Sequence, residues 1–99
     1  MILLMERTHM PHEYQLIPIH VTAIKVTPES VERAVTFCSG VQIEEIDPED
    51  HKRRFVGINF PTLSGVKRAT QGDYIIKNHS TGEFDVMTAF EFERKYEPV

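Results

Sequence analysis

The stretch QGDYIIKNHSTGEF, residues 71–84, sets two polar turns around a short apolar burst, and TAFEFERKYEPV, residues 88–99, follows close behind it. Gln71-Gly72-Asp73 reads as a turn, and Tyr74, Ile75 and Ile76 form the centre of a strand. Asn78 to Gly82 makes the next turn, after which Phe84 and Val86 alternate with Glu83 and Asp85 on a second strand. Thr88, with Glu91 three residues on, has the spacing of a capping box, so a helix is predicted over 88–96. Ala89, Phe92 and Tyr96 fall at i, i+3 and i+7 along it, and the two rings are expected to supply large apolar area to a small core.

Working outward, TPESVERAVTFCSG predicts a second helix over 28–39. Thr27 is placed to cap it, Pro28 suits its first position, Glu29 suits the positive dipole end and Gly40 suits a left-handed close. Val31, Ala34, Val35 and Cys38 share one face of that helix, which assigns Cys38 to the core, while Glu32, Arg33 and Thr36 face water. Residues 16–26, LIPIHVTAIKV, read as a strand with Ile17, Ile19, Val21 and Ala23 on one side and Ile24 and Val26 on the other. Pro18 places this strand at a sheet edge. VQIEEI, residues 41–46, reads as a strand. DPEDHKRR, residues 47–54, is a charged turn, and RFVGINF returns to β-type residues. Pro61 to Gly65 breaks the chain before a short strand over 66–70.

These elements predict an α+β fold, a mostly antiparallel four- to five-stranded sheet with one face covered by two helices, 28–39 and 88–96. Residues 1–13 are expected to be a loosely ordered N-terminal extension and 14–99 a single domain. At 99 residues the chain has room for one domain, and about 60–65% of its unfolded surface would be buried on folding. A shallow site fits such a core better than a deep cavity.

A net charge of −4 argues against a phosphate-neutralising role, so no nucleic-acid partner is expected. It is too mild for an acidic DNA mimic. Cys38 is the one cysteine, which removes an intramolecular disulfide framework and fits a reducing compartment. The apolar run Met1 to Met5 is too short to span a bilayer and lacks the basic start of a signal peptide, so no membrane association is expected.

The arrangement GDYII, NHSTGEF and FEFERKYEPV resembles the C-terminal signature of a group of small bacteriophage and prophage proteins. That signature runs Gly-Asp-Trp/Tyr-Ile/Leu-Ile/Val, a turn with Gly-Glu, an aromatic, and a last helix ending Phe-x-x-x-Tyr-Glu. Tyr14, Pro18, Ile19, Phe37, Cys38 and Gly40 stand where the group places its first strand and helix. Tyr74 stands where Trp is common, and Asp85-Val86-Met87 where Tyr-Pro is frequent. The resemblance implies an accessory protein working in the host bacterial cytoplasm, bound to a host or phage protein such as a defence component.

His9 and His12 have metal-like spacing with Pro11 between them and no further ligand set, so no metal is expected. Cys38 and His20 would form a nucleophile and base only in a shared exposed cleft. Asp73, Glu83 and Asp85 surround one hairpin and read as turn and solvent-side residues rather than an acid/base pair. No phosphate loop, dinucleotide fingerprint or zinc-finger spacing is present, so neither enzymatic activity nor a cofactor is expected. The run EEIDPEDHKRR nearly neutralises itself as a hairpin tip. Its basic end, Lys52, Arg53 and Arg54, with Lys67 and Arg68, is the candidate binding set for an acidic partner or a phosphate group. The leading expectation is a protein-binding accessory protein. The alternatives are an oligomer that sequesters a nucleotide-type ligand and a minor virion protein. Unpaired strand edges also lead us to expect a homodimer.

Overall fold

Ile24 and Ile75, fifty-one positions apart, face each other across an antiparallel ladder, and that long-range pairing organises the molecule. The structure is a computed structural model and describes residues 11–99. In chain order the elements are β1 (Val21–Lys25), α1 (Val31–Cys38), β2 (Val41–Ile46), β3 (Arg53–Thr62), β4 (Gly65–Thr70), β5 (Tyr74–Asn78), β6 (Phe84–Met87) and α2 (Ala89–Lys95). They form two antiparallel three-stranded sheets, ordered β1-β5-β6 and β2-β3-β4. The α+β class is as the sequence indicates, but the single sheet of four or five strands is corrected to six strands in two sheets. Period-two patterning identifies a strand without identifying its partner, and β1 passes over its sequence neighbours to pair with β5.

One cluster joins the layers: Val26, Ala34, Cys38, Ile58, Phe60, Ala69 and Ile75 are buried together. Both sheets and α1 contribute to it. Ile24, Phe84 and Val86 close it from the β1-β5-β6 side, and the Phe37 and Phe84 rings meet edge to face at 5.3 Å, a favoured aromatic geometry. The stripe read on α1 holds, with Ala34 and Cys38 buried and Val31 and Val35 packed beside them.

The ends of α1 differ from the sequence reading. Thr27 Oγ1 accepts from the Ser30 N–H and Ser30 Oγ accepts from the Thr27 N–H, at 3.1 and 3.0 Å. This closes a turn over 27–30, so the helix begins at Val31 rather than at 28. Ser39, not Gly40, takes the left-handed conformation, with φ 54°. Gly40 is required for space: a Cβ there would lie 2.6 Å from Ile58 Cγ2 and 2.9 Å from Cys38 Sγ. At the first strand only 21–25 join a ladder; residues 11–20 belong to no helix or strand and are exposed. As Pro18 suggested, β1 is an edge strand. β3 runs through Pro61 to Thr62, one turn later than the sequence break suggested.

The Thr88 cap is present, its side chain accepting from the Glu91 N–H at 3.3 Å. The place of α2 is a correction, because no residue of it is fully buried. Alternation along β5 explains this: Ile75 points into the core, so Tyr74 points to the opposite face, and α2 docks there. The two helices therefore cover different surfaces, α1 against β2 and β3 and α2 outside the β1-β5-β6 sheet.

Candidate functional site

The outer face of the β1-β5-β6 sheet is set by register. Ala23 lies opposite Ile76, and Ile76 opposite Asp85; Lys25 lies opposite Tyr74, and Tyr74 opposite Met87. This row is apolar where Val21, Ala23, Ile76 and Met87 stand and polar toward its rim. On one side α2 raises a wall of rings: Phe92 stacks on Tyr74 at 4.1 Å and 19°, and Tyr96 on Phe92 at 5.0 Å and 23°. The tip of the β3-β4 hairpin, with Thr62, Leu63 and Lys67, borders the other side.

Between these walls lie two open hollows of about 580 and 280 Å³, both bordered by Val21 and Tyr96. Together they form a shallow trough. Tyr74 Oη donates to Glu93 Oε2 at 3.4 Å. His20 and His79 lie parallel at 6.5 Å at one end, where His79 Nε2 is hydrogen-bonded to Thr22 Oγ1 at 2.6 Å.

Lys67 Nζ donates to Asp85 Oδ1 at 2.8 Å across the rim. Partial burial alone would raise the Asp85 carboxyl. The Lys67 hydrogen bond, the Val86 N–H and the Lys67 charge outweigh it and hold the group below its ordinary range. The pair joins β6 to β4, which runs beside it.

The structure separates the basic residues singled out in the sequence into two groups. Lys52, Arg53 and Arg54 lie at the β2-β3 turn, where Arg54 pairs with Asp47 and Arg53 Nη1 lies 3.8 Å from Glu44 Oε2. Lys67 and Arg68 lie on β4, and Arg68 Nε donates to Asn59 Oδ1 at 3.0 Å. Arg68 stands opposite Asn59, five residues along β3 from Arg54, about 17 Å at strand rise. Lys67 alone of the five borders the trough.

The other constellations are also dispersed. Cys38 is 2% exposed and donates to Ala34 O at 3.0 Å, whereas His20 is on the surface. Burial pushes the Cys38 thiol up against the smaller opposing effect of backbone hydrogen bonds, which disfavours the nucleophilic thiolate. Asp73 Oδ2 accepts from the Thr70 N–H and hydroxyl, both at 2.9 Å, and so braces its turn. His9 lies outside the described residues and His12 is exposed. Among the described residues no group of three or more His, Cys, Asp or Glu side chains converges as a metal site. No described helix is long and apolar enough to cross a membrane.

Sequence reading missed this face because it assigned Phe92 and Tyr96 to the core. A signal was present: if Ile75 is buried, Tyr74 must point the other way, and a helix carrying partner rings follows within the length of one hairpin. The trough offers apolar and aromatic contact with a few polar groups at its edge. Compared with known proteins, the chain matches no family model, no curated protein and no solved structure.

Proposed function

We propose that this is a non-enzymatic accessory protein of bacteriophage type, acting inside the host bacterium by binding a host or phage protein through the outer-face trough. One observation carries the reading: apolar residues continue the trough onto the free surface. Ile19, which borders the larger hollow with Val21 and Ala23, is 61% exposed, and Ile17 shortly before it is 86% exposed. An apolar surface of this kind rimmed by polar groups marks an interaction site more often than a structural accident. The phage assignment draws its support from the signature over 72–97.

The test is affinity capture from bacterial and phage-infected lysates with the wild-type chain and with Ile76→Arg and Tyr74→Ala variants whose circular dichroism is native. A partner held by wild type and lost by the variants is expected. Equal recovery by all three removes the trough from the proposal. Nucleotide sequestration by Arg53, Arg54, Lys67 and Arg68 draws less support, since Arg54 and Lys67 already hold carboxylates. A thermal-shift screen checks it: ligand at a hundred times its Kd adds about 2.7 kcal/mol of stability.

A further inference from the structure

We infer that two copies of this chain join along the outer edges of their β1 strands, extending each β1-β5-β6 sheet into one antiparallel sheet about a two-fold axis. The backbone of β1 points to this. His20 O accepts from the His79 N–H and the Val26 N–H donates to Asp73 O, so even-numbered residues bond β5. By antiparallel alternation, Val21, Ala23 and Lys25 turn their N–H and C=O groups to the other side. The Lys25 carbonyl accepts there from Ser30 Oγ. Val21 and Ala23 face a side on which no described strand pairs with β1.

The preceding residues 11–20 belong to no helix or strand and are exposed, and Ile19 borders the same outer-face hollow as Val21 and Ala23.

The other edges are guarded. β2 has a bulge between Ile43 and Glu44 and carries exposed Glu44 and Glu45, a bulge and charges of the kind that blunt an edge strand against pairing. β4 and β6 meet each other through Lys67 and Asp85. β1 has neither bulge nor carboxylate. With the axis at Thr22, Val21 faces Ala23 of the second copy, Ile19 faces Lys25 and the two Thr22 side chains face each other, so no like charges are opposed.

Such an axis stands perpendicular to the sheet, so both troughs open on the same side. The inference holds whatever fills them. The experiment is sedimentation velocity and light scattering on the full chain, with amide hydrogen exchange. A mass twice the single-chain 11.4 kDa is expected, with the Val21 and Ala23 amides protected in proportion to the dimer present. Ala23→Pro removes an outward donor, and Ile19→Lys places a charge on the arm outside every helix and strand, where folding is not at stake. Each should raise the dimer Kd about tenfold or more. A strict monomer at micromolar concentration overturns the inference. So does a dimer whose Val21 and Ala23 amides exchange as freely as exposed loops, or one that both variants leave intact.

Discussion

The two faces of the β1-β5-β6 sheet are made by neighbouring residues and meet different surroundings. Inward, Ile75 and Ile24 lie against Phe60, Ile58 and α1 in a closed cluster. Outward, Tyr74 and Ala23 face a short helix that covers only part of them and buries none of its own residues fully. A sheet face becomes core only where a second layer reaches across it. The inner face holds the fold together, and the outer face is left available for contact.

The largest test of this contrast is Phe60→Ala, which empties the centre of the inner cluster. A loss of about 3–5 kcal/mol is expected in urea denaturation; a loss under about 1 kcal/mol would mean that the two faces do not differ as described. Gly40→Ala comes next. The added methyl meets Ile58 and Cys38, and about 1–3 kcal/mol should be lost by the same measurement.

Tyr74→Ala removes the first ring of the outer stack. It should cost about 1 kcal/mol of stacking beyond the lost area, with native far-ultraviolet circular dichroism retained and partner capture abolished. Smallest is Lys67→Met at the rim. Because the folded Asp85 carboxyl titrates below its ordinary 3.8, the pair contributes stability above that pH and loses it as pH falls through the lower folded value. The Asp85 side chain is 54% exposed, so screening limits the effect to at most about 1 kcal/mol. Lys67→Met should flatten the acid limb of the stability curve.

Much of the local structure was legible in the residues. The α1 stripe, the charged turn before β3, the Gly72 and Gly82 turns and the Thr88 cap all appear where spacing places them, because each depends on contacts within a few positions of chain. The start of α1 was misread because Thr27 and Ser30 bond each other's backbone and hold a turn in place of a helical first turn. The candidate site was less legible. Lys52, Arg53 and Arg54 look like a basic patch in sequence, but β2 and the turn bring Glu44 and Asp47 back to Arg53 and Arg54, and the ladder sets Lys67 and Arg68 well apart from them.

By itself the sequence determined the α+β class, the buried place of Cys38 and most element positions, since hydrophobic period and capping act over a few residues. Only the tertiary structure decided that the strands divide into two sheets, that Phe92 and Tyr96 stack outside the core, and that β1 meets β5. Those outcomes depend on which strand meets which across fifty positions of chain, and the alternation of side chains along a strand carries no record of its partner.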